Sequence, residues 1–134
     1  MTLAEFAVID ASAFVRDQLG DRPAGEWIER AWSCEITLIA PALIFAEVSN
    51  ALLGYVRRGE LTVDEALDGI ADLHQLVQPT PLDALYPAAF ELGLDRGLSA
   101  YAAAYAQLAE SEEIPLVTAD RKLAAATARG VLLE

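Results

Sequence analysis

The sequence predicts an α/β protein with a central, mostly parallel sheet covered by helices. Three short apolar segments rich in β-branched residues indicate buried strands, and at least one helical segment separates each from the next. Parallel strands joined through helices require right-handed crossovers, which place the helices on the faces of the sheet. The chain has 134 residues, of which 54% are apolar, so residues 1–134 are expected to form a single domain with a sizeable core.

Turn residues and hydrophobic periodicity divide the first half of the chain into strands and helices. Asp10 or Ser12 supplies the polar cap that begins a helix directly after the first strand. Pro41 ends the second strand, and apolar residues four and seven apart predict the long helix that follows. The predicted elements are a strand at 6–9, a helix at 12–19, a chain break at 20–23, a helix at 26–33, a strand at 36–40 and a helix at 42–58.

The second half of the chain has clearer helix signals. Thr62 and Glu65 match a capping box, Gly97 ends a helix and Ser99 caps the next one. Pro79 and Pro81 predict a turn. The predicted elements are a helix at 63–76, a turn at 79–81, a helix at 83–95, a helix at 100–111, a strand at 114–118, a short helix from 120 to 128 and a final apolar segment at 131–133.

Composition excludes several classes of function. The formal net charge of −12 repels RNA, DNA and anionic membranes, so any nucleic-acid partner must meet a local basic patch or a bound metal. Cys34 and His74 are the only cysteine and histidine, which excludes an intrachain disulfide and multi-histidine zinc sites. Hard oxygen ligands remain as the plausible metal chemistry.

The sequence also predicts that the protein neither spans nor binds a membrane. The longest nearly apolar run, residues 36–46, is too short to cross a bilayer and contains Pro41. Glu5 lies in the first apolar stretch and no basic region precedes it, so a signal peptide is not expected. We therefore expect a cytoplasmic protein.

Three acidic residues stand where apolar segments end or pass into helices. Asp10 follows the first strand, Asp120 follows the third, and Glu47 lies near the start of the long helix. Because ligands of parallel α/β sheets bind outside the carboxyl ends of the strands, these side chains are expected to meet and to suit a divalent cation. Helix capping is the competing interpretation for Asp10 and Asp120. It is weaker for Glu47, which flanks an apolar stripe.

The strings VIDASAFV, APALIFAEVSNAL, GLSAYAAAYAQLAE and PLVTADRKL resemble PIN domains, in particular the VapC toxins of bacterial and archaeal toxin–antitoxin pairs. The resemblance covers nearly the whole chain and implies a PIN-like three-layer sandwich and a metal-dependent endoribonuclease. It assigns Asp10, Glu47 and Asp120 to the catalytic and metal-binding ring of acids, with Ser12 and Thr118 as supporting hydroxyl residues. The implied cofactor is Mg²⁺ or Mn²⁺.

The chain departs from this family at position 102. The family reads Tyr-Asp-Ala-Ala-Tyr where this chain has Tyr-Ala-Ala-Ala-Tyr, so Ala102 stands where a catalytic and metal-binding Asp belongs. A deliberate Asp→Ala substitution that disarms a toxic ribonuclease and a natural loss in a degenerate homologue both explain it. The other motifs are intact, which favours the deliberate change. Tyr101 and Tyr105, four apart on the same predicted helix, are expected to serve packing.

The resemblance further implies a cognate VapB-like antitoxin, whose C-terminal segment fills the groove of the toxin, an RNA substrate and a homodimer. Arg121 and Lys122 follow Asp120 directly and are candidate contacts to a substrate phosphate, with solvated surface as the alternative. A non-catalytic PIN-like module that binds RNA or protein is the main rival function. A haloacid dehalogenase-like hydrolase with Asp10 as nucleophile is disfavoured, because its second Asp would stand where Ser12 does.

Overall fold

The computed structural model describes residues 5–134 and shows a five-stranded parallel sheet in the order β3-β2-β1-β4-β5. The strands are β1 (Glu5–Ile9), β2 (Ile36–Pro41), β3 (Val77–Thr80), β4 (Leu116–Thr118) and β5 (Gly130–Leu132). The helices are α1 (Ala11–Gln18), α2 (Arg22–Trp32), α3 (Ile44–Arg57), α4 (Val63–Leu76), α5 (Ala88–Arg96), α6 (Ala100–Glu112) and α7 (Arg121–Ala125), with a 3₁₀ turn at Leu82–Ala84. The predicted three-layer α/β sandwich is confirmed.

The strand order creates a switch point beside the central strand β1. The chain winds from β1 through β2 to β3 at one edge, then continues with β4 and β5 on the other side of β1. Val8 pairs with Leu116 and Ile9 with Val117, so β1 and β4 end together. Where the winding direction reverses in this way, the carboxyl ends of the two strands open a crevice. The residues after β1 and β4 therefore share one edge of the sheet.

The core around this crevice is closely packed. Val8 and Ile9 of β1 are at most 1% exposed, because helices cover both faces of the sheet. Helix α6 packs across β1, β2 and β4. Its fully buried side chains include the short Ala103, Ala104 and Ala106, which let the neighbouring elements approach the helix closely. The first turn of α6 is thereby held near the ends of β1 and β4.

Local signals fix the ends of several helices as predicted. The capping box of α4 is present: the Thr62 N–H donates to Glu65 Oε1 at 2.9 Å, and the Glu65 N–H donates to Thr62 Oγ1 at 3.0 Å. Gly97 ends α5 in the left-handed region with φ of 68°, where a glycine has no steric penalty. Ser99 caps α6 by accepting a hydrogen bond from the Ala102 N–H at 3.0 Å.

Three local predictions were wrong. Helix α5 begins at Ala88, five residues after the predicted start, and a 3₁₀ turn at Leu82–Ala84 precedes it. Residues 77–80 form the edge strand β3 rather than leading into a turn at Pro79, and Pro79 pairs in register with Ala40. An edge strand tolerates proline because one side of it has no neighbour to receive an N–H. Helix α2 begins at Arg22, four residues before the predicted start. Pro23 fits its first turn, and Asp21 caps it by accepting from the Ala24 N–H at 3.1 Å.

A close approach between α7 and β5 positions the end of the sheet. A Cβ atom at Gly130 would overlap the backbone of Ala124, so α7 can lie against β5 only because residue 130 has no side chain. Helix α7 follows directly on Asp120, so this contact also sets where Asp120 lies. Among residues 5–134, no helix combines the length and the apolar character that crossing a membrane requires.

Candidate active site

A pocket of about 250 Å³ opens at the carboxyl ends of β1 and β4. Asp10, Glu47 and Asp120 line this acid pocket, although they come from three parts of the chain more than 30 residues apart. Ala102 lines it too. The other lining residues are Ala11, Ser12, Ser99, Tyr101, Tyr105 and Leu123. The structure thus places the three predicted acids and the position of the missing Asp around one small volume.

Asp10 is the most buried of the acids, with 5% of its surface exposed. It follows β1 and caps α1, and its Oδ1 accepts hydrogen bonds from the Ala13 N–H at 2.9 Å and the Ser12 hydroxyl at 2.7 Å. Its Oδ2 accepts from the Thr118 hydroxyl at 2.5 Å. Each carboxylate oxygen therefore has at least one donor within the protein.

Burial raises the pKa of Asp10 above its ordinary value. The hydrogen bonds from Thr118, Ala13 and Ser12 act in the opposite direction without cancelling that effect, and the charge of Asp120 adds to the rise. The charged form of Asp10 thus lowers the stability of the folded protein when no metal is bound. A cation in the acid pocket would reverse this cost, because it favours the ionised carboxylate.

Ser12 and Thr118 connect Asp10 to the segment that follows β4. The Ser12 hydroxyl oxygen accepts from the Ala119 N–H at 3.0 Å, and the Thr118 hydroxyl oxygen accepts from the Asp120 N–H at 2.9 Å. Both hydroxyls donate to Asp10 as well. The two residues therefore fix the carboxylate of Asp10 relative to the backbone at Asp120.

Asp120 caps α7 and lines the acid pocket at the same time. Its Oδ1 accepts from the Leu123 N–H at 3.1 Å, and no described residue donates to its second oxygen. Asp120 can therefore serve both as the cap of α7 and as an acid of the pocket. Arg121 and Lys122, the candidate phosphate contacts, are exposed, form no ion pair within residues 5–134 and do not line the pocket.

Tyr105 contacts the pocket in a way that the sequence did not predict. Its hydroxyl donates to Glu47 Oε1 at 2.6 Å, and the side chain is 2% exposed. Burial, followed by the hydrogen bond to Glu47, raises the pKa of Tyr105, so the hydroxyl remains a donor. Packing alone was expected for this residue. The available signal was its position one turn after Ala102, on the same face of α6.

The carboxylate oxygens of the pocket are the type of ligand that a hard divalent cation prefers, but too few of them lie close together. Carboxylates are the ligands that Mg²⁺ and Mn²⁺ prefer. In the part of the chain that the structure describes, however, no three Asp, Glu, His or Cys side chains converge closely enough to hold a metal ion. An Asp at position 102 would add a fourth carboxylate in the first turn of α6, where the helix dipole favours negative charge.

Known proteins similar to this chain share its fold. Residues 7–128 match the PIN domain family. Ribonuclease VapC3 of Pyrobaculum aerophilum is 35% identical over 120 residues, which cover 87% of this chain and 91% of that protein. Ribonuclease VapC1 of Mycobacterium tuberculosis is 33% identical over 124 residues, 89% of each chain. The crystal structure of PAE2754 from Pyrobaculum aerophilum aligns with a TM-score of 0.73 and 27% identity, covering 96% of this chain and 91% of that one.

We predict that Asp10→Asn raises the stability of the metal-free protein at neutral pH. The folded state holds the proton of Asp10 more tightly than the unfolded state does, so the contribution of Asp10 to the free energy of unfolding falls as the pH rises above about 4. Asparagine keeps the cap through its amide oxygen without the buried charge, and its amide nitrogen can donate to the Thr118 hydroxyl oxygen once that hydroxyl rotates. Urea unfolding in EDTA at pH 7 should show a gain of about 1 kcal/mol, which shrinks as the pH falls toward about 4 and is absent below it.

The matched control is Asp21→Asn, because Asp21 caps α2 in the same way but lies outside the acid pocket. It should change the free energy of unfolding by less than about 0.5 kcal/mol. A loss of stability in Asp10→Asn that is the same at pH 3 and pH 7 would contradict the prediction.

We also predict that the hydrogen bond between Tyr105 and Glu47 contributes to stability. Tyr105→Phe should lower the free energy of unfolding by about 1.5 to 3 kcal/mol, the usual range for a bond to a charged group. Tyr101→Phe is the control, since Tyr101 is 62% exposed on the same helix. In a Glu47→Ala background the cost of Tyr105→Phe should nearly vanish. An equal cost in both backgrounds would show that the hydroxyl acts through something other than Glu47.

Proposed function

The chain belongs to the PIN-domain family, and from this premise we propose that it is a metal-dependent endoribonuclease toxin of a toxin–antitoxin pair, impaired by Ala102. The relatives named ribonuclease VapC3 and VapC1 support the activity and the toxin class. The observation that carries the proposal is the acid pocket, where Asp10, Glu47 and Asp120 surround one volume and an alanine occupies the fourth acidic position.

The proposed reaction is hydrolysis of an RNA phosphodiester. Mg²⁺ or Mn²⁺ would lower the pKa of the attacking water and neutralise charge on the phosphate. Asp10 and Asp120 are the proposed metal ligands, with Ser12 and Thr118 holding Asp10 in orientation. Glu47 is proposed to orient the attacking water, and its hydrogen bond from Tyr105 fixes its carboxylate for that role.

Substrate contacts outside the pocket are proposed at the start of α7. Arg121 and Lys122 follow Asp120 directly and have no acidic partner within residues 5–134, so they are free to reach a phosphate of an RNA that enters the pocket. The RNA substrate places the proposed activity in the cytoplasm.

The proposed protein partners are a VapB-like antitoxin and a second copy of this chain. The antitoxin would inhibit by covering the opening of the acid pocket with a C-terminal segment. For the homodimer, the supporting feature is an exposed apolar face on α5 and the start of α6, formed by Phe90, Leu94 and Tyr101. These side chains are between 62% and 78% exposed, which is typical of an interface.

We predict that Ala102→Asp creates ribonuclease activity. In Mn²⁺ the variant should cleave total cellular RNA at least about 100-fold faster than the parent chain, because a bound cation contributes several kcal/mol to the transition state. EDTA should abolish the activity, and adding Asp10→Asn to the variant should abolish it as well. Gel electrophoresis of the RNA with time measures the rates.

The control for the added charge is Ala100→Asp, which places an acid in the same first turn of α6 but outside the acid pocket. It should remain as inactive as the parent. If Ala102→Asp is folded, binds Mn²⁺ and cuts no RNA, the rival reading of a non-catalytic module that binds RNA or protein becomes the better account.

A further prediction is that metal inverts the effect of Ala102→Asp on stability. In EDTA the added carboxylate repels its neighbours, at a cost on the order of 4 kcal/mol for two charges 4 Å apart at an effective dielectric of 20. In Mn²⁺ the same carboxylate becomes a ligand, and binding to the folded state raises its stability. Thermal melts should therefore rank the variant below the parent in EDTA and above it in Mn²⁺. The same ranking in both buffers would count against a metal site here.

A further inference from the structure

A second concavity adjoins the acid pocket and has a different character. This groove has a volume of about 510 Å³, which lies in the range of small-molecule sites, and it runs between α1 and α3. Ala11, Ser12 and Glu47 line both the groove and the acid pocket, so the two concavities share a border. Apart from Arg16, the other lining side chains of the groove are apolar or aromatic: Val15, Leu19, Ala51, Tyr55 and Ala119.

The only cationic side chain that lines the groove is Arg16. It is exposed and forms no ion pair within residues 5–134. Half of the eight arginines have an acidic neighbour within 4.0 Å among the described residues, namely Arg22, Arg30, Arg58 and Arg96, and Arg16 belongs to the other half. A guanidinium without a partner beside an apolar groove can bind an anion.

The aromatic side chain of the groove is Tyr55, which is partly exposed. The guanidinium of Arg58 lies 4.6 Å from the centroid of its ring. This contact occupies one face of the ring, so a flat group can pack only on the opposite face. Tyr55, Arg16 and Glu47 together present a flat apolar surface, an anion-binding group and an edge of the acid pocket.

We propose that the groove is a nucleotide subsite for single-stranded RNA next to the cleaved phosphate, with a base packed on Tyr55 and a phosphate held by Arg16. The proposal rests on the proposed function, because it takes the acid pocket as the place of cleavage. A nucleotide combines a flat apolar base with an anionic phosphate, which matches the two features of the groove. Base packing is sequence-tolerant, so the subsite would favour unpaired RNA over one particular sequence.

The test is binding of the parent chain, in Mn²⁺, to a fluorescein-labelled random-sequence RNA of about eight nucleotides, followed by fluorescence anisotropy. Arg16→Ala should lower the slope of log K against log salt by about 0.7, the value for one phosphate contact on a single strand. Tyr55→Leu should weaken binding about tenfold without changing that slope. Tyr55→Phe keeps the ring and should bind like the parent. Arg22→Ala removes an exposed arginine outside the groove and should leave the slope unchanged.

Cleavage kinetics separate this proposal from the proposed function. In the Ala102→Asp background, Arg16→Ala and Tyr55→Leu should each lower kcat/KM for a short RNA about tenfold. If that background cuts RNA and both substitutions leave kcat/KM and binding unchanged, the subsite is wrong while the proposed function stands. If it cuts nothing but RNA binding still depends on Arg16 and Tyr55, the groove binds a nucleotide as proposed, whereas the proposed cleavage in the acid pocket fails.

A protein occupant would give a third pattern. Binding of the purified cognate antitoxin that falls with Arg16→Ala and Tyr55→Leu, together with RNA binding that does not change, would overturn the nucleotide subsite. Loss of both antitoxin binding and RNA binding would support the nucleotide subsite, because an inhibitor that occupies the subsite competes with the substrate.

Discussion

The geometry of the acid pocket depends on one buried carboxylate at the end of the central strand. Asp10 is almost fully enclosed, and such a group is stable only when donors surround it. The donors are the first turn of α1, through Ala13 and Ser12, and the end of β4, through Thr118. The hydroxyl oxygens of Ser12 and Thr118 also accept hydrogen bonds from backbone N–H groups of the segment after β4. The hydrogen bonds that stabilise Asp10 therefore also set the position of Asp120. One carboxylate thereby connects the two strands between which the winding of the sheet reverses.

Stability and the proposed metal binding oppose each other in this pocket. A buried carboxylate without a cation loses solvation and, to a smaller extent, is repelled by its acidic neighbour, and both effects raise the pKa of Asp10. With a cation present, the same carboxylates provide the ligands. Ala102 favours the stability of the metal-free protein, because its methyl group occupies the position where a fourth carboxylate would stand. The remaining acids each have a second structural role, as a helix cap or a hydrogen-bond acceptor, which explains how they are accommodated without metal.

The parts of the structure that follow local rules were predictable from the sequence. The apolar runs predicted β1, β2 and β4, and the capping box predicted the start of α4. The strand β3 was missed because Pro79 signals a turn locally, and only its edge position in the sheet makes it acceptable. The meeting of Asp10 and Asp120 could be predicted from strand ends. The bond between Tyr105 and Glu47 joins residues 58 apart, and the position of Tyr105 one turn after Ala102 points to the pocket without identifying this partner. The groove beside Arg16 depends on how α1 and α3 pack, so it has no local signal.

The strongly negative charge of the chain constrains how it can bind RNA at all. Four of the eight arginines are paired with acidic residues within residues 5–134, so there is no broad positive surface to attract a polyanion from a distance. The unpaired cations nearest the pocket are Arg16 on α1 and Arg121 with Lys122 on α7. If the chain is the proposed ribonuclease, its affinity for RNA would come from short-range contacts around the acid pocket rather than from a long-range field. Such an arrangement would bind RNA weakly in general and would select substrates by the shape of the few nucleotides that reach the pocket.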